Sequence, residues 1–244
     1  MSTMDTPSNI TIFRGFPEKG CYTWSPFVTK LEARLRFGGI SYNVESGSPM
    51  KLQSLADSDL IVRSFIVSGH LEDLNASISP VQKAQDLSIK ALLENRLYFL
   101  QGYERWIENY YTMRAKILGG MSWPLQVVVG NIIYNINVRT MQGQGTGTFF
   151  PEEIAAFRAE IWESLNAILS ASYTQHRDSE GPFWRWGEDA PTETDGVVFG
   201  FIISGLICSA GPTTTLRTME PFLHHARLGW LSRHADLAGG GCHS

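Results

Sequence analysis

The residues best placed to do chemistry are a serine and an acid–serine pair, each at a helix start. "CYTWSPFVTKLEARLRFGG", residues 21–39, sets Ser25 and Pro26 at the mouth of a helical segment. Serine is a preferred N-cap, and proline suits the first helical position because the N–H it lacks has no partner there anyway. Ser25 reads as a helix cap on these grounds. It also reads as a ligand contact, because a hydroxyl can accept from a helix amide while giving its proton elsewhere. Asp57-Ser58 precedes the apolar run Leu60 to Val67. It reads either as an ordinary helix start or as a place where free amides and the helix dipole receive a carboxylate. No Ser-His-Asp set is visible, so Ser25 is not read as a nucleophile.

Tyr22, Thr23 and Cys21 share the loop before Ser25 and are rival polar contacts. Further along, Phe99, Tyr103, Trp106 and Tyr110 recur every three or four residues. That stripe reads as core packing or as the wall of an apolar pocket. Glu104 and Arg105 between them read as a solvated face. His224 and His225 are adjacent, so they do not share a helix face, and no metal site is expected there.

The elements that must carry these residues follow from local pattern. "NITIFRG" predicts a strand at Ile10 to Phe13 and "ISYNVES" a second at Ile40 to Ser46. Between them, Phe27, Val28, Leu31 and Leu35 form the apolar face of a helix that stops at Gly38-Gly39. Strand, helix, strand implies a parallel pair with a crossover helix. A helix begins near Asp57. Ser79 to Gln82 is a capping box that opens a long helix running to about Asn109. Thr192 to Asp195 is a second capping box, and the rest of the chain reads as helical. "GQGTG", Gly143 to Gly147, reads as a turn rather than a phosphate loop. Residues 1–75 therefore form a small α/β unit and residues 76–244 an all-helical one, with a linker near Asp73 to Ser79. The tail "LAGGGCHS" is expected to be disordered.

Composition narrows the function. The chain has 244 residues, 43% hydrophobic and 18% charged, with net charge −4. No basic block suggests nucleic acid as a partner. The longest apolar run, Gly196 to Gly211, is shorter than the roughly 20 residues a membrane span needs, so it reads as a buried helix. The N-terminus shows no secretory signal pattern. Three cysteines at unrelated spacings (Cys21, Cys208, Cys242) fit no disulfide framework or zinc site and suit a reducing compartment, so a cytoplasmic protein is expected.

A strand, a loop, a Ser-Pro-Phe helix start, a second strand and a long helical second half together resemble the glutathione S-transferase superfamily. Ser25-Pro26-Phe27-Val28-Thr29-Lys30-Leu31-Glu32, the "YERW" of Tyr103 to Trp106 and "GQGTG" before a Pro-Glu-Glu helix start resemble its failed-axon-connections and metaxin-like branch. The overall look is similar to fungal transferases of secondary-metabolite pathways such as that of pseurotin. The resemblance implies a thioredoxin-like N-terminal domain that binds glutathione, an all-helical C-terminal domain, and a homodimer. It implies Ser25 as donor to the glutathione sulfur, with Tyr22, Thr23, Pro26, Phe27, Lys51, Asp57 and Ser58 around the peptide. Tyr103, Trp106 and Tyr110 would line the pocket for a small hydrophobic electrophile. Ser25 and Val28 stand where a thioredoxin-type dithiol would place its cysteines, which excludes dithiol redox chemistry at this motif. The implied reactions are conjugation or glutathione-dependent isomerisation of a conjugated olefin. A non-catalytic metaxin-like binding or membrane-import module is the rival.

One feature departs from that family. It has two further strands and a cis-proline between the second strand and the acid–serine pair. Here only "KLQS" separates Met50 from Leu55, too little for two strands of about five residues each. The hairpin after Lys51 is either pruned or missing from the sequence, and Pro49 is too early to be that proline.

Overall fold

A helix buried on nearly every side organises the molecule. The computed structural model describes residues 10–14, 22–46, 57–175, 184–186, 190–211 and 213–219. β1 (Thr11–Phe13) pairs in parallel with β2 (Asn43–Glu45), Ile12 lying opposite Val44, and α1 (Pro26–Phe37) makes the crossover. This is the arrangement that the alternation and the Ser-Pro start predict. Gly38 and Gly39 end α1, and Gly39 takes φ +65, a value that favours glycine. α2 (Ser58–Val67) follows, capped by Asp57. Lys51, Pro49 and the question of a hairpin with a cis-proline lie outside the described residues.

The helical half begins at α3 (Pro80–Leu92), with the Ser79–Gln82 capping box present in both directions. The predicted long helix is not one continuous α-helix. A π turn at Leu93–Leu97 leads into α4 (Tyr98–Tyr103), a second π turn spans Glu104–Glu108, and α5 (Tyr110–Leu118) continues from there. α6 (Trp123–Gly143) and α7 (Pro151–Gln175) are joined through a turn where Gly145 takes φ +82. α8 (Glu193–Ile207) and the short α9 (Thr213–Arg217) complete the described chain. At the α8 start, the backbone N–H and hydroxyl of Thr192 donate to Asp195 at 2.8 and 2.9 Å, the reach-back expected of the second box. The histidine pair at 224–225, Cys242 and the tail fall outside the described residues.

Two cores meet at α1. One face packs Leu31 and Leu35 with Ile12, Ile40, Tyr42, Val62 and Leu71. The larger core joins Leu93, Leu97 and Leu100 to Ile154, Trp162, Leu165 and Leu169 of α7 and to Val198, Phe201 and Ile202 of α8. α8 is apolar all round, so it is covered all round, and one of its neighbours is α1 itself. The contact is close because α8 carries glycine there. A Cβ on Gly200 would sit 2.5 Å from the Pro26 carbonyl oxygen and 3.0 Å from the Lys30 backbone nitrogen.

The expectation of a one-faced α1 is therefore corrected. Phe27 points away from Leu31 and Leu35: its ring packs edge-on against Tyr98 at 4.9 Å and Phe201 at 6.2 Å, in the helical half. Lys30, Glu32, Arg34 and Arg36, polar positions that a surface helix would expose, are all buried. Each has a partner from another element, as buried charges require. Glu32 receives both Nε and an NH2 of Arg14 at 2.8 Å, the Tyr42 hydroxyl at 3.0 Å and Arg36 at 3.4 Å. Lys30 bridges Asp59 of α2 at 2.7 Å and Glu94 of the first π turn at 2.5 Å. Arg34 pairs with Glu193 of α8 at 2.8 Å and donates to the Glu72 carbonyl.

Glu32→Gln keeps the volume but removes the anion that Arg14 and Arg36 share. Urea unfolding followed by tryptophan fluorescence should show a loss of about 3 kcal/mol. Gly200→Ala drives a methyl into the backbone of α1 and should destabilise by about 1–3 kcal/mol in the same assay.

Candidate functional site

Ser25 caps α1 with extended backbone angles, and its Oγ accepts from the Val28 amide at 3.4 Å. That contact lies beyond the usual range for such bonds. Ser25 is half-buried, and among the described residues its hydroxyl proton goes to no acceptor. The capping reading thus holds, and the side chain keeps a proton to give.

The loop before it is held from three directions. Thr23 is fully buried; its Oγ1 accepts from the Ser25 amide at 3.2 Å, and its carbonyl accepts from the Thr29 hydroxyl at 3.2 Å. Trp24 is buried beside Met113, Cys208 and Trp106. Its carbonyl accepts from Arg105 at 2.8 Å, and the same guanidinium reaches the Ser204 carbonyl at 3.2 Å. Tyr22 packs edge-on against Phe199 at 5.8 Å, with the Arg36 guanidinium 6.0 Å from its ring centre. Burial pushes its phenol up, with Arg36 opposing and Glu32 adding. Thr23 is shut away by full burial and Tyr22 is engaged by Phe199 and Arg36, which leaves Ser25 as the half-buried hydroxyl at the α1 start. Cys21 lies outside the described residues. Pro26 is buried under α8 and Phe27 faces the helical half, so what these two do is join the domains.

Asp57 is exposed at the start of α2, where one carboxylate oxygen accepts from the Asp59 and Leu60 amides at 2.9 and 3.0 Å. Ser58 is buried beside it. Asp59, one residue further, is penned between Lys30 and Lys90; burial raises its carboxyl, but these two cations outweigh it and hold it below the usual range.

The aromatic stripe does not form one wall. Tyr103 packs on the main helical core, Trp106 joins Trp24 and Cys208, and Tyr110 packs edge-on against Tyr134 at 5.4 Å. A π turn begins directly after Tyr103. One extra residue rotates everything beyond it by about 100° relative to a regular helix. Of the three, Trp106 is the one that reaches the neighbourhood of Ser25. Glu104 and Arg105 are not a solvated face either: they are 8% and 7% exposed. Arg105 is the residue that the sequence reading missed, and no local pattern marks it.

A cavity of about 450 Å³ opens between α1, α2, α3 and α8, lined by Lys30, Asp59, Val62, Arg63, Lys83 and Glu193 among others. None of the predicted site residues lines it. The segments flanking Ser25 and Asp57 in sequence, 15–21 and 47–56, lie outside the described residues. Among the described residues there is no cluster of side chains able to hold a metal, and no helix is long and apolar enough to cross a membrane.

A family model described as the glutathione S-transferase N-terminal domain matches residues 26–113. The match starts one residue after Ser25 and runs through α1, β2 and α2 into α5. It supports the glutathione S-transferase superfamily, with a thioredoxin-like N-terminal domain and a glutathione transferase-like activity as the coarse reading.

Glutathione fits the residues present. Among the described residues the Ser25 hydroxyl donates to no acceptor, which suits a thiolate, and one Asp57 oxygen accepts nothing, which suits an amine.

Glu104 adds a pH signature. Burial pushes its carboxyl up to about 7, with Arg158 opposing, and its Oε2 has no partner. Between about pH 4.5 and 7 the folded chain holds a proton there that the unfolded chain has released, so stability falls as pH rises through this window. Glu104→Gln should remove a fall of about 2–3 kcal/mol from the pH dependence of urea unfolding.

Proposed function

We propose that the protein activates the thiol of glutathione for reaction with a small hydrophobic electrophile. The observation that carries this reading is Ser25: a half-buried hydroxyl that, among the described residues, donates to no acceptor, at the positive end of a twelve-residue helix. A free thiol near pKa 8.5 is only about 3% ionised at pH 7. Moving it down by two units takes about 2.7 kcal/mol. A hydrogen bond to the thiolate and the helix dipole supply energy of that order.

Under this reading Ser25 donates to the sulfur. Asp57 receives the α-amino group, and Ser58, through its hydroxyl and its own backbone N–H, receives the γ-glutamyl carboxylate. Lys51 is assigned to the peptide on resemblance. When bound, glutathione supplies the nucleophile, either for lasting conjugation or for transient addition that lets a conjugated double bond change geometry. Trp106, which packs in the Trp24 cluster, is assigned to the acceptor; Tyr103 and Tyr110 face other neighbours and are assigned to it on resemblance alone. Isomerisation of an extended olefin in secondary metabolism suits an acceptor wall rich in aromatic rings. The homodimer, the cytoplasmic location and the branch of the superfamily are part of the same proposal.

Retention on immobilised glutathione and the ultraviolet absorbance of bound thiolate test it. Wild type should bind and show thiolate at neutral pH. Ser25→Ala should still bind but raise the apparent thiol pKa by about 1–2 units, since it removes a charge-assisted hydrogen bond. A wild-type protein that neither binds nor shows thiolate would instead favour a non-catalytic metaxin-like module.

A further inference from the structure

We propose that Arg105, from the helical domain, is the positioning residue of the thiol site: it fixes the Trp24–Ser25 peptide and supplies a buried positive charge behind it. This rests on the function proposed above. Three observations carry it. Arg105 NH1 holds the Trp24 carbonyl at 2.8 Å, one peptide bond from the Ser25 nitrogen, while NH2 holds the Ser204 carbonyl at 3.2 Å. The side chain thus ties the Ser25 loop to α8. The guanidinium is 7% exposed, and none of the ion pairs among the described residues includes it. Its Nε is buried with no hydrogen-bond partner.

Every buried cation of α1 has a carboxylate against it. Arg105 has two neutral carbonyls. A buried charge without a counterion is costly, and it lowers that cost by favouring an anion nearby. A thiolate at the α1 N-terminus is such an anion. The other charges around this spot are Lys116 of α5, whose ammonium lies 5.7 Å from the Trp24 ring, and Glu104, preceding Arg105 on the same π turn.

The π turn that carries Arg105 is pinned by Asn109, whose amide and side chain both donate to the Glu104 carbonyl at 2.9 and 3.0 Å.

The test uses the full chain with Arg105→Gln and Arg105→Lys. Spectroscopic titration of bound glutathione should show the apparent thiol pKa raised about tenfold in proton affinity in Arg105→Gln, with glutathione affinity changed less than threefold. Arg105→Lys should recover most of that shift, because it keeps the charge. An unchanged thiol pKa in Arg105→Gln overturns the electrostatic role; should that variant not fold, an Arg105→Lys thiol pKa displaced as far as that of Ser25→Ala overturns it. Hydrogen exchange of the glutathione-free protein separates this claim from the function it rests on. Faster exchange at residues 25–29 in either variant supports the positioning role even if wild type binds no glutathione, and unchanged exchange there overturns it.

Discussion

The fold depends on burying four charged side chains of one helix with their partners attached. α1 lies between the small sheet and α8, so Lys30, Glu32, Arg34 and Arg36 have no route to solvent. A buried ion left alone costs several kcal/mol, whereas a paired one is tolerated. Each pair therefore acts as a positional constraint more than as a source of stability. Arg14 fixes the end of β1 to α1, Asp59 fixes α2, Glu94 fixes the first π turn, and Glu193 fixes α8. Only one mutual placement of these elements satisfies all four partners at once. Gly200 adds the steric half of the condition by letting α8 approach the α1 backbone.

That placement sets where Ser25 sits. A serine at the start of an exposed helix would be wetted on every side, and its hydrogen bond to a ligand would compete with water. Here Thr23 and Trp24 are buried on the N-terminal side, and the helical domain closes over Trp24 through Met113, Cys208 and Trp106. The positive end of α1 is thus half-buried against the helical part of the chain, where electrostatic interactions are stronger than at an open surface. The surroundings of Ser25 are thus built jointly by the α/β part and the helical part, and neither builds them alone.

Much of this was legible in the sequence. Ser25-Pro26, Asp57-Ser58, Ser79 to Gln82 and Thr192 to Asp195 each announce a helix start through side-chain chemistry that acts within four residues, and each is found. The parallel strand pair follows from a strand–helix–strand order that leaves few alternatives. What failed did so for non-local reasons. Phe27 does not share the Leu31–Leu35 face because a helix covered on two sides has no single apolar face for periodicity to report. Glu104 and Arg105 looked like surface charges because π turns leave no mark in composition: the inserted residue changes facing, not residue type. The Trp24 carbonyl that Arg105 holds is a backbone group, and backbone acceptors have no sequence signature at all.

The two helix starts assigned to one peptide differ in a way that divides their labour. α2 begins at an exposed Asp57, with water and salt at hand, so charges placed there are screened and contribute mostly to recognition. α1 begins at a half-buried Ser25 backed by a buried guanidinium, where the same charge interacts over a lower dielectric. A peptide spanning both would therefore be held at its γ-glutamyl end and ionised at its sulfur end. That division needs the helical domain in place, since Arg105 and the cover over Trp24 both come from it. A change that loosened α8 from α1 would leave the α2 start intact, and with it binding, while removing the conditions that favour the thiolate. The proton-donating serine is necessary to the proposed chemistry, but the environment that makes one hydroxyl sufficient is assembled by the contact between domains.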